Sequence, residues 1–381
     1  MVGVFLQLAA RTLMMFTNTM PIFLFLYAIS NIGAGLYLTA PFAMIAEVVE
    51  PQERPKYYGM LVTFKAVGSL LGPLITGGLM DTGFATLAFI SYLPFLVLSV
   101  PFILALYPNR KTQRTTGGKF DLAGLLLLVI SVTCVIFLLS LGGKSFKWLS
   151  PISVMLMVVG VVGIIALIRI ENKHPNPSVA IRMFRKKRFT FAFLCSMFIS
   201  AFASVFGAYV IVYAQQVMEV SSTLSSTASM PMTISQAIFG VIFGRYLGKK
   251  FSERFRPTAL FSLLLVTFAM ILVCLLRPTS SILLIYAASI LGGIGTVVPQ
   301  SAFANFFQTE LKPEEIGAAQ GMFSFGGTGG SCIFMAITGA MTNAGGTIYH
   351  VFILATAWCA AAFVIGFIGF RMPRESAEES R

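Results

Sequence analysis

Apolar residues run through this chain in long unbroken blocks, separated by short segments where charge, glycine and proline collect. About twelve such blocks are legible, near 1–17, 20–46, 58–80, 86–107, 121–142, 151–170, 190–214, 224–247, 258–276, 280–305, 317–341 and 350–370. Each is long enough to cross a hydrocarbon core of roughly 30 Å. Backbone groups in lipid must be paired internally, and barrel strands would be shorter and would alternate in polarity, so the blocks predict helices. A mean hydropathy of +0.86, with 57% hydrophobic and 11% charged residues, excludes a water-soluble globular class. The fold class is therefore an all-α membrane protein with about 12 transmembrane helices.

One stretch, from Phe25 to Asp81, recurs. Gly33, Pro51, Glu53, Gly59, Met60, Gly68, Ile75, Thr76 and Gly77 return as Gly295, Pro313, Glu315, Gly321, Met322, Gly330, Ile337, Thr338 and Gly339, every pair 262 residues apart. Ungapped self-similarity of this kind marks a structural repeat, here two related helical bundles. At roughly 33 residues per helix and loop, the step is about eight helices, two more than a bare six-helix half requires. The surplus places two inserted helices between Asp121 and Ile170. Three helices precede the one carrying Gly295 in the second copy, against one before the helix carrying Gly33, so the chain reads as a fourteen-helix design entered at its third helix. Within the repeat, Gly68-x-x-x-Gly72-Pro73 and Gly77-Gly78 put small residues on an apolar helix, where they allow close helix approach. Pro73 in mid-helix is tolerated where neighbouring helices re-satisfy the freed carbonyl.

The net charge of +13 changes meaning once it is mapped. One set of alternate loops and the tail holds 20 Lys and Arg residues; the other set holds only Lys144, Lys147 and Arg277. This is the positive-inside imbalance, which predicts both termini in the cytoplasm and reads the charge as topology rather than nucleic-acid binding. Basic segments at 108–119 and 172–188 suggest boundaries. They give an incomplete N-terminal bundle of about four helices (1–107), a linker with the inserted pair (108–171), a C-terminal six-helix bundle (172–371) and a cytoplasmic tail (372–381). The five cysteines sit in apolar runs without paired spacing and read as small buried residues, neither disulfide nor metal ligands. His174 and His350 are far apart, and no nucleophile–base pair is visible, so no metal, cofactor or enzymatic centre is expected. The N-terminus lacks a basic n-region and a small-residue cleavage site, so no signal peptide is read.

The pattern resembles the major facilitator superfamily, and within it the fourteen-helix drug:proton antiporter branch (EmrB/QacA type). The resemblance rests on Gly68-x-x-x-Gly72-Pro73 with Gly77-Gly78, which looks like that branch's antiporter motif with one extra residue. It also rests on Phe120-Asp121-Leu122-Ala123-Gly124, Tyr213-x-Gln215 followed by Pro231, and Gly244 through Arg256. The branch's Arg-x-x-Gln-Gly pattern falls on Tyr27, Ser30 and Asn31 here, so its arginine is absent, as is its basic motif after the second helix. The resemblance implies a plasma-membrane secondary transporter of major facilitator fold, two pseudo-symmetric bundles plus two inserted helices. Such a protein exports amphipathic drugs or other small molecules by alternating access, in exchange for protons or without them. Two alternatives stay open: a truncated, non-transporting membrane component or subunit, and a permease for nutrient or metabolite uptake. Tyr27, Asn31, Tyr209, Tyr213, Gln236 and Gln300 are the polar groups expected toward a central cavity. Glu47 is the candidate for proton coupling, although it lies at a helix end. Lys65, two turns into its helix, is expected to snorkel to the cytoplasmic surface.

Overall fold

The computed structural model describes residues 2–17, 19–38, 40–81, 93–106, 121–142, 145–173, 181–220, 224–225, 227–311 and 313–370. The basic segment before Asp121, the His174-Pro175-Asn176-Pro177 stretch and the C-terminal tail lie outside the described residues. Thirteen α-helices are present among those described: α1 (Val2–Met14), α2 (Met20–Leu38), α3 (Ala40–Val48), α4 (Arg54–Asp81), α5 (Leu93–Leu106), α6 (Leu122–Leu141) and α7 (Pro151–Lys173), then α8 (Lys187–Gln216), α9 (Met230–Leu247), α10 (Phe251–Cys274), α11 (Ile282–Gln308), α12 (Pro313–Asn343) and α13 (Ile348–Gly369). With α2 and α3 counted as two parts of one apolar run, these are the twelve expected spans. Eight of the helical spans among the described residues are long and apolar enough to cross a membrane by themselves.

Several helices overrun the apolar blocks that announced them. α10 starts at Phe251 rather than near 258 and carries Pro257 inside it, while α12 starts at Pro313 rather than near 317. Hydropathy finds only the lipid-embedded part. At the interface the backbone is still best satisfied by its own helix, so charged first turns such as Ser252-Glu253-Arg254 continue the helix outward. The inserted pair opens on Asp121, whose carboxylate accepts the Gly124 N–H at 2.9 Å and caps α6. α12 closes on Gly345 at φ 90°, with the Gly346 N–H donating to the Met341 carbonyl at 3.0 Å and the Gly345 N–H to Thr342 at 3.2 Å. This is a Schellman ending, and its left-handed residue must lack a Cβ to form without strain.

The repeat reappears as packing. A Cβ on Gly33 of α2 would come within 2.6 Å of the Gly3 carbonyl and 2.8 Å of the Gln7 nitrogen of α1. A Cβ on Gly295 of α11 would come within 2.6 Å of the Ser262 carbonyl and 2.9 Å of the Val266 nitrogen of α10. The two repeat-related glycines thus do the same thing: each lets its helix close onto the one before it. α6 and α7 pair through Gly160 and Gly163 of α7, which face Val135 and Ser131. Their remaining surfaces, including Leu126, Ile130, Met155 and Val162, are exposed apolar side chains suited to lipid.

Two apolar cores lie mostly in the second half. One gathers Phe189, Phe255, Phe303, Phe306, Phe307 and Phe370, with Phe255 and Phe306 stacked at 4.5 Å. The other gathers Phe202, Phe206, Tyr213, Phe352 and Trp358. The aromatic wealth of the sequence is spent largely on packing. The halves meet where α4 lies against α9 and α11. Gly59 of α4 and Gly240 and Gly244 of α9 interlock there: a Cβ on Gly240 would sit 2.9 Å from the Gly59 carbonyl, and one on Gly244 would sit 2.8 Å from that of Pro55. Thr63 then donates its hydroxyl to the Ala237 carbonyl at 2.8 Å. Small residues four apart on both helices bring the backbones together, the arrangement that substitutes for hydrophobic association in lipid. The Gly68-x-x-x-Gly72 face does not take this role among the described residues, since a Cβ on either would meet nothing within 4 Å.

Candidate functional site

A cavity of about 540 Å³ lies between the halves. The first half supplies Leu38, Pro41, Phe42, Leu61, Val62 and Lys65; the second supplies residues of α8, α11 and α12. Its walls are related by the repeat. Leu38 and Gln300, Leu61 and Phe323, Val62 and Ser324, and Lys65 and Gly327 all line it, and each pair is 262 residues apart. Equivalent positions of two related bundles thus look into one space, which places it at the pseudo-symmetric centre of the fold.

The helical period decides which side chains arrive. Ser196, Ser200 and Ser204 fall one turn apart on α8, and Ser324, Thr328 and Ser331 form a similar stripe on α12. The two stripes touch: the Ser331 hydroxyl donates to the Ser200 carbonyl at 2.9 Å, and Gly327 leaves room for the Ser200 side chain. Gln300 and Gln320 add amides, while Leu38, Phe42, Leu61, Val62, Ile199 and Phe323 make the remainder apolar. Mixed walls of this kind, mainly apolar with a few directed polar groups, suit small amphipathic ligands. Lys65 is the only charged residue among the described residues lining the cavity.

At one end the cavity is stopped by a hydrogen-bonded barrier across four helices. The wholly buried Tyr58 places its hydroxyl 2.7 Å from Gln308 Oε1 and 3.2 Å from the Phe42 carbonyl, and Gln308 Nε2 donates to Gln320 Oε1 at 3.2 Å. Tyr58 and Gln320 are themselves repeat equivalents, with Gln308 between them. Beside the barrier Arg54 caps α3, donating to the carbonyls of Ala46 at 2.6 Å and Val49 at 3.0 Å. On the second half, Lys186 pairs with Glu315 at 2.7 Å and Arg188 with Glu310 at 2.8 Å. Both carboxylates are thereby accounted for at the bundle end.

Of the polar residues expected toward a central cavity, Gln300 lines it. The others lie elsewhere. Tyr27 stacks on Phe23 beneath Arg11 and receives the Asn31 amide at its carbonyl, within α2. Tyr213 shares a hydroxyl contact with Tyr349, and Tyr209 packs beside that second core. Gln236 bonds Thr296 at 2.8 Å and ties α9 to α11. The side chains of Glu47, Pro73 and the Gly77-Gly78 pair lie outside the described residues. Lys65, expected at the membrane surface, lines the cavity instead, because the face of α4 that carries it looks inward beside Leu61 and Val62. The serine and threonine stripes were missed altogether. Their four-residue spacing is visible in the sequence, but short hydroxyl side chains are also common packing residues in membrane helices.

All five cysteines are free thiols. Cys195 and Cys359 are buried as expected, whereas Cys332 is exposed and lines the cavity. A small polar thiosulfonate reagent is therefore expected to modify Cys332 first and to leave Cys195 and Cys359 untouched in the folded protein, as read by peptide mass spectrometry. Modification of all five at equal rates would contradict this placement.

A helical membrane protein built from two repeat-related bundles around a central cavity has the architecture of a secondary transporter. The family model of the Major Facilitator Superfamily matches residues 1–335, and the chain belongs to that superfamily. It is 27% identical over 198 residues to the multidrug transporter protein MdtP of Bacillus subtilis, covering 52% of this chain and 36% of that one. It is 31% identical over 190 residues to multidrug resistance protein 3 of the same organism, covering 50% of this chain and 37% of the relative. The match thus spans little more than a third of either relative's length. The crystal structure of the human organic anion transporter MFSD10 (TETRAN) has the same fold, with a TM-score of 0.63 at 14% identity over 96% of this chain and 75% of that one.

Proposed function

We propose that the chain acts as a secondary transporter that exports amphipathic small molecules across the plasma membrane by alternating access, in exchange for protons. The carrying observation is the cavity whose two walls are built from repeat-equivalent positions, closed at one end by bonds between the halves. A site on the pseudo-symmetry axis can be exposed to either side by rocking one bundle against the other. The multidrug descriptions of the two bacterial relatives support this choice of cargo.

Within the proposal, the chain is assigned to the fourteen-helix drug:proton branch, because the α6–α7 pair stands between the halves and packs mainly on itself. The domain division is the one read from the sequence, with 1–107 and 172–371 as the two bundles. The lysine and arginine asymmetry supports cytoplasmic termini, and it leaves no role for nucleic acid. The substrate passes unchanged, with no covalent chemistry and no cofactor. Glu47 near the end of α3 is the coupling carboxylate in this scheme.

Everted vesicles carrying the protein should accumulate an amphipathic fluorescent dye when a pH gradient is imposed, and lose it when the gradient is collapsed. Glu47→Gln should abolish the dependence on the gradient. Accumulation indistinguishable from vector-only vesicles would overturn the transport reading, and a Glu47→Gln protein with full gradient dependence would overturn the coupling role.

A further inference from the structure

We infer that the cavity is an anion site, and that its preferred cargo is an amphipathic organic anion carrying a carboxylate or sulfonate, held by Lys65. The inference rests on the transport reading for the biological use of the site, although the binding chemistry stands apart from it. Lys65 sits well inside α4, two turns past Tyr58, among Leu61, Val62 and Phe42. Its side chain is exposed to the cavity, and a ligand that fills this space strips water from the ammonium, which is costly unless the ligand brings an opposite charge or strong acceptors. Neither of the two ion pairs found among the described residues involves Lys65, and no aspartate or glutamate is among the described residues that line the cavity. The missing negative charge is therefore supplied most simply by what enters.

The surroundings suit the same ligand. The position related to Lys65 by the repeat is Gly327, also on the wall, and the Ser200 and Ser196 hydroxyls stand where its side chain would be. Around it Ser196, Ser204, Ser324 and Thr328 present hydroxyls that make no hydrogen bond among the described residues. Hydroxyl donors beside an ammonium complete the shell of a carboxylate or sulfonate, while the apolar wall takes the hydrocarbon body. A cationic ligand would meet Lys65 as a like charge with no carboxylate among the described lining residues to offset it, and in low dielectric that repulsion is large.

The test uses the purified full chain in lipid nanodiscs with dansylglycine and its neutral amide, two probes that differ only in the carboxylate. Dansylglycine is expected to bind roughly tenfold more tightly than the amide, the usual size of a charge-assisted contact. Lys65→Gln should remove that preference, and Lys65→Arg should restore it. A thermal transition of the Gln variant in nanodiscs equal to that of the unaltered protein shows that it is folded. Equal affinities in the unaltered protein, or a preference that survives in Lys65→Gln, would overturn the inference. The two readings fail separately. Charge-selective binding without dye accumulation in vesicles sinks transport and keeps the anion site, whereas accumulation of the amide and the anion alike sinks the anion site and keeps transport.

Discussion

Gly240→Leu is expected to abolish recovery of folded protein or to lower its thermal transition sharply. The reason is geometric. Even the first carbon of a side chain at Gly240 would lie 2.9 Å from the Gly59 carbonyl and 3.3 Å from the Thr63 nitrogen, so backbone stands on the far side. Backbone cannot rotate away as a side-chain tip can. Gly59 and Gly244 are equally enclosed, which leaves α4 and α9 no direction in which to separate without losing the Thr63 to Ala237 bond. Overpacking of this kind costs about 1–3 kcal/mol in ordinary cores, and a leucine against backbone belongs at the upper end. Gly68→Leu is the control. It adds the same side chain to α4 at a point where a Cβ meets nothing within 4 Å, so its transition should stay near that of the unaltered protein. Thermal unfolding of the two variants in detergent settles the matter, and equal losses would refute the interlock.

The contrast between Gly240 and Gly68 also shows what could be read before the structure. Helix number and the repeat were legible because lipid leaves the backbone one solution and because 262-residue spacing survives in glycines and prolines. Gly33 and Gly295 were rightly singled out by it. Which glycines face a partner was not legible, since Gly68-x-x-x-Gly72 and Gly240-x-x-x-Gly244 carry the same local signature and only tertiary contact separates them. The cavity was legible in part. Gln300 was chosen for its amide, but Tyr27, Asn31, Tyr213 and Gln236 have the same polar character and serve bonds within or between neighbouring helices. Translating Leu38, Leu61, Val62 and Lys65 by the repeat step would have found their partners Gln300, Phe323, Ser324 and Gly327. That required knowing which face of α4 looks inward, and a helix apolar on nearly every side does not reveal it.

Tyr58→Phe tests whether the barrier below the cavity is a gate. Its hydroxyl is buried and joins α4 to α11, and through Gln308 to Gln320 on α12, so a single proton bridges the two halves. Removing it leaves Gln308 Oε1 without that donor in a space closed to water, a loss of about 1–3 kcal/mol. If the cavity opens on this side by separating α4 from α11 and α12, the bond exists only in the closed arrangement. The whole loss then falls on that state, and the open population rises by roughly five- to a hundredfold. Cys332 reports the change without an added label, because it lines the cavity beyond the barrier. Its alkylation by a membrane-impermeant reagent, applied from the side where α4 begins, should accelerate accordingly. Gln308→Met makes the assignment specific. It removes the acceptor, so adding Tyr58→Phe to it should change the rate little, and the non-additivity measures the bridge itself. An unchanged rate in Tyr58→Phe, or effects that simply add, would mean that these residues hold the halves together in every state and that opening occurs by another route.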